Sequence, residues 1–143
     1  MSGQPQLPPP ANPALLPLMA AVVYLAAVVA LWGVLSLLLD REVVDYPDAG
    51  PLLGPAMVVS AGLVTWLGCR RSGGWPGALL SFAAVFVALS LIGALGYTLT
   101  RGDLGWIPRA LVHFAISPFV AGAALLSALV VLGVRGIRSA TPS

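Results

Sequence analysis

The chain has 143 residues, 59% of them hydrophobic and only 8% charged, with a formal net charge of +2. Soluble domains carry about 25% charged residues, so this composition excludes a water-soluble globular protein. So small a net charge, with no basic patch interleaved with aromatic residues, also excludes a nucleic-acid partner.

Every one of the seven basic residues is arginine. Together with the richness in Ala, Leu, Val and Gly, that skew points to a high-G+C bacterial genome, and hence to a bacterial inner membrane. Cys69 is the single cysteine. It can form no intrachain disulfide, CxxC pair or cysteine-based zinc site, and it reads as a small apolar residue at a helix end.

Residues 1–13, MSGQPQLPPPANP, contain five prolines and no charge. They cannot continue a helix, and they read as a disordered or polyproline tail, a plain linker rather than a partner-binding motif. The first apolar segment then runs over 14–39. No Lys or Arg precedes it and it exceeds the about 7–15 apolar residues of a signal peptide, so it is expected to remain as an anchor. Trp32 lies about two turns inside it and is expected to pack.

The connection 40–50, DREVVDYPDAG, carries Asp40, Glu42, Asp45 and Asp48. These carboxylates are placed to collect a hard cation, or with a histidine a transition metal, but the calcium-loop spacing is missing. They read as a solvated acidic loop with no metal, shaped by Pro47 and Gly50. The second apolar segment spans 51–69 and the third 76–99. Between them Arg70 and Arg71 mark a short turn flanked by Trp66 and Trp75. Near the opposite ends lie Tyr46, Tyr97 and Trp106, at the level where amphipathic rings favour headgroups.

The fourth segment covers 110–134, with a short basic tail at 135–143. Pro118 removes an amide within it and predicts a kink. Arg109, His113 and Ser117, spaced four apart, fall on one helical face, and an ionisable residue at this depth is a candidate functional site, although an interior hydrogen-bonding role for His113 is favoured over proton or ligand chemistry. An inward ring is expected to reach a polar group near Asp40 or between Tyr97 and Thr100.

At a rise of 1.5 Å per residue each segment covers the ~30 Å hydrocarbon core. The fold class is therefore all-α: an integral membrane protein whose four transmembrane helices form an up-down bundle behind a Pro-rich tail. Lipid gives such helices no hydrophobic reason to associate, so small residues are expected at their contacts. Candidates are Ala26, Ala30 and Gly33, Gly54 and Gly62, Ser90 and Ala94, and Ser117, Ala121, Ala124 and Ala128.

Arg70, Arg71, Arg135 and Arg138 fall on one side and Arg41, Arg101 and Arg109 on the other, and this four-to-three bias predicts both termini in the cytoplasm. All five acids lie on the second side.

The chain contains no HExxH, GxSxG, Walker lysine or dinucleotide fingerprint, and no residue constellation specifies a reaction, a substrate or a cofactor. Small multidrug exporters also have four short spans, but they rely on a glutamate embedded in the first helix. Here that span has no acid before Asp40, and the resemblance fails.

The expectation is a non-enzymatic accessory or interaction subunit in the lipid bilayer, contacting a second copy or a partner membrane protein. The alternative is a small oligomeric transporter or channel built around the polar face of the fourth helix.

Overall fold

The computed structural model describes residues 12, 14–42, 51–71 and 74–140. The Pro-rich tail, Asp45, Tyr46 and Asp48 therefore lie outside the described residues. Among those described, every regular element is helical: α1 (Leu15–Leu39), α2 (Leu53–Arg70), α3 (Trp75–Arg101), a 3-10 turn at Leu104–Trp106, α4 (Ile107–Ala115) and α5 (Pro118–Ala140). Four of these, α1, α2, α3 and α5, are long and apolar enough to cross a membrane.

The boundaries follow from local backbone chemistry. α1 stops where Asp40 turns left-handed, at φ 48°, and its amide bonds back to the Ser36 carbonyl. α3 begins after Gly74 (φ 82°) with Pro76 in its first turn, where a missing amide leaves no hydrogen bond unmade. It ends at Gly102 (φ 72°), whose amide reaches the Thr98 carbonyl at 2.9 Å. A left-handed glycine here closes the helix without the steric cost a side chain would add.

α3 is the central element, packed against α2, α4 and α5, while α1 packs against α2 and α5. Successive contacts show α4 and α5 descending α3 in one antiparallel register. Arg101 lies over Trp106, Phe114 against Gly93, Ser127 against Ser81, and Arg135 beside Gly74.

The fourth crossing differs from the single kinked span over 110–134 that the sequence predicts. It is divided into α4 and α5, with Ile116 and Ser117 between them and α5 continuing to Ala140. Pro118 has no amide, so the ladder cannot continue through it. The Ser117 amide bonds three residues back, to the Phe114 carbonyl at 3.2 Å, and the Ser117 carbonyl then accepts from Ala121 at 3.2 Å to start α5.

Small residues mark the contacts of three helices but not of α1. Gly62, Ser90, Ala94 and Ala124 are buried, and Gly54, Ser117, Ala121 and Ala128 are half-buried. Ala26, Ala30 and Gly33 instead lie on the exposed face of α1. The inward face of α1 carries Pro17, Ala21, Tyr24, Val28 and Trp32. Two ring donors decide this choice. The Tyr24 hydroxyl donates to the Ala123 carbonyl at 3.2 Å and the Trp32 indole N–H to the Phe119 carbonyl at 3.0 Å. Facing lipid, each would lose its partner at a cost of several kcal/mol.

Tyr97 lies one turn from the end of α3 and faces the other helices. It is buried, and its hydroxyl accepts a 2.6 Å hydrogen bond from Arg101.

Candidate functional site

At the end of the molecule that carries Asp40, Glu42 and Asp103, the break in the fourth crossing opens a cavity of about 130 Å³. Its walls are Leu39, Arg41 and Glu42 from the end of α1, His113 from α4, Ile116 and Ser117 from the break, and Pro118 and Phe119 from α5. The geometry follows from Pro118. By ending the α4 ladder it leaves a gap beside the last turn of α1, and His113, half-buried, lines that gap.

Of the residues singled out from sequence, His113, Ser117 and Glu42 are brought together. Arg109 is not. It is exposed, with its guanidinium 5.1 Å from the Trp106 ring. Arg101 lies 4.6 Å from the same ring. Two guanidinium groups thus share one indole, and cation–π attraction holds the Arg109 head group there rather than in the cavity. Asp40 is exposed at the α1 terminus and does not line the cavity.

Arg41 lines the cavity although sequence reasoning assigned it only to topology. Among the described residues no group of three or more His, Cys, Asp or Glu is placed to hold a metal ion. What the cavity offers is one cation, one carboxylate, an imidazole and a hydroxyl around a small space, a set able to hydrogen-bond a small polar solute.

A second polar cluster, absent from the sequence reading, lies deep between the helices. Thr65 of α2 donates to Ser127 of α5 at 2.8 Å, and Ser127 is 2.7 Å from Ser81 of α3. All three are buried, and Tyr24 of α1 borders the cluster through Thr65. Isolated hydroxyls in otherwise apolar spans are the signal that marks it, because each needs a partner away from lipid.

At the opposite end Cys69 is buried with Ala78, Val131 and Val134, and Arg70 lies over Trp66 at 4.8 Å.

Four apolar crossings, polar side chains turned inward and guanidinium groups stacked on aromatic rings near the helix ends define a multi-pass membrane protein. Residues 12–143 match a family of unknown function (DUF6121), and the chain belongs to that family. No curated protein and no solved structure matches it.

Proposed function

We propose that the protein is a non-enzymatic accessory or interaction subunit of a bacterial inner membrane, acting through helix association with a second copy or a partner membrane protein. The observation that carries this reading is the outward placement of Ala26, Ala30 and Gly33 on α1. A β-carbon added at Gly33 would meet nothing within 4 Å, whereas one added at Gly62 would meet Leu25 at 2.6 Å and one at Gly93 the Phe114 ring at 2.8 Å. Small residues gain nothing toward lipid but let another helix approach closely.

Gly33→Cys on a Cys69→Ala background tests the reading by disulfide crosslinking in native membranes. A crosslinked dimer or a discrete larger adduct is the expected product, and a second change, Ala30→Leu, should abolish it. Monomer alone at normal expression would reject the association.

A second reading, a small oligomeric transporter or channel, is favoured by the coincidence of the helix break with the cavity of Arg41, Glu42, His113 and Ser117. Broken helices supply polar sites in many transporters.

A further inference from the structure

We infer that the groove between α2 and α3 binds a glycerophospholipid, with an ester carbonyl of the lipid accepting a hydrogen bond from Ser81 and its phosphate at Arg71. The groove has a volume of about 470 Å³. Val64, Gly68 and Arg71 line it from α2, and Gly77, Ser81 and Ala84 from α3. On each helix these positions are three or four apart and so form one face.

Ser81 holds a proton that the protein does not use. Each hydroxyl has one proton to donate. Thr65 donates its own to Ser127 at 2.8 Å. Ser127 and Ser81, 2.7 Å apart, share one further bond, in which either oxygen could be the donor. Were Ser81 the donor, the Ser127 proton would be left in a fully buried site at the full cost of an unmade bond. Ser127 is therefore the donor, and the Ser81 proton remains. Among the described residues Ser81 makes no other hydrogen bond. Although only 3% exposed, Ser81 lines the groove. A β-carbon added at Gly68 would stand 2.9 Å from its Oγ, so the bare backbone of Gly68 leaves that hydroxyl uncovered.

The occupant must bring an acceptor into an otherwise apolar space, and the length of the groove decides which. From Arg71 to Val64, and from Gly77 to Ala84, the walls run about 10 Å, a third of the ~30 Å hydrocarbon core. That is too short for a crossing helix of a second copy, and it lies just below the surface, where Arg71 is exposed. A glycerophospholipid carries its groups in the matching order. Its phosphate meets the Arg71 guanidinium whatever head group it bears. Its ester carbonyls, which accept and cannot donate, come next at the level of Ser81, and a chain passes on between Val64 and Ala84.

Thermal unfolding of the purified full chain in an ester-free maltoside detergent tests the site. Phosphatidylcholine with ester-linked chains is titrated against the analogue whose identical chains are joined by ethers. The two share phosphate, head group and charge and differ in the carbonyls alone. Each is expected to raise the melting temperature, with the ether lipid about fivefold weaker in apparent affinity. Ser81→Ala should remove that difference. Ser127→Ala also breaks the hydroxyl cluster but keeps the Ser81 hydroxyl, and should retain it. Ala84→Leu in the groove wall should weaken both lipids.

Equal affinity for the ester and ether lipids would show a hydroxyl satisfied by water, and a preference that survives Ser81→Ala would place the carbonyl elsewhere. Unchanged binding in Ala84→Leu would put the lipid outside the groove. A melting temperature that rises with protein concentration but with neither lipid would give the groove to a second copy. Any of these four results overturns the inference.

Discussion

His113 is the residue at which sequence and structure meet most closely. Its depth and its singular chemistry mark it in the sequence, and it lines a cavity with Leu39, Arg41 and Glu42, the residues on either side of Asp40 at the end of α1. Which residues share that cavity was less legible. The four-residue spacing of Arg109, His113 and Ser117 assumes an unbroken helix, and the ladder ends at Ala115. Arg109 instead lies over the indole of Trp106, three residues back at the start of α4, a local pairing that competes with the His113 face. If the accessory reading is right, His113→Gln keeps a donor and an acceptor and leaves stability unchanged. His113→Leu places an apolar side chain against Arg41, Glu42 and Ser117 and should cost about 1–3 kcal/mol in an SDS unfolding titration. Wild-type stability for His113→Leu would remove the residue from any polar role, whereas loss of solute flux in both variants with stability intact would favour the transporter.

At the scale of elements, the existence of α1, α2 and α3 was plain from apolar length, but their orientation was not. α1 is apolar on all sides, so no periodicity distinguishes its inward face. The hydrogen-bonding needs of Tyr24 and Trp32 do, and they override the small residues Ala26, Ala30 and Gly33. The same principle links the remaining helices through Thr65, Ser81 and Ser127. Ser127 stands between the other two, so Ser127→Ala removes both bonds at once. Interhelical hydrogen bonds in membranes average about 0.6 kcal/mol and reach about 1.7, which sets the expected loss for two at about 1–2 kcal/mol. Ser90 is the internal control. Its hydroxyl oxygen is buried without a hydrogen-bond partner among the described residues, so Ser90→Ala should leave stability unchanged or raise it slightly. Equal destabilisation by the two substitutions in SDS titrations would show that the hydroxyl cluster contributes no more than local packing.

For the whole molecule, the placement of the arginines predicts which end faces the cytoplasm. The helices fix Arg70, Arg71, Arg135 and Arg138 at one end and Arg41, Arg101 and Arg109 toward the other. Orientation responds to the arginine count near span ends, with acids contributing little. The margin is therefore one residue, and it favours cytoplasmic termini. On a Cys69→Ala background, an impermeant maleimide applied to intact cells should modify Asp103→Cys and spare Ser139→Cys. The reverse pattern would invert the topology. So narrow a margin also makes the determinant itself testable. Asp40→Arg raises the second side to four arginines and removes the difference. If the count sets the orientation, Ser139→Cys in that background should become labelled in a substantial fraction of molecules, giving a mixed population. Asp40→Asn removes the same acid without adding a cation and should retain the wild-type pattern. Should Asp40→Asn mix the population as fully as Asp40→Arg, the acid would be the determinant and the four-to-three arginine argument would fail.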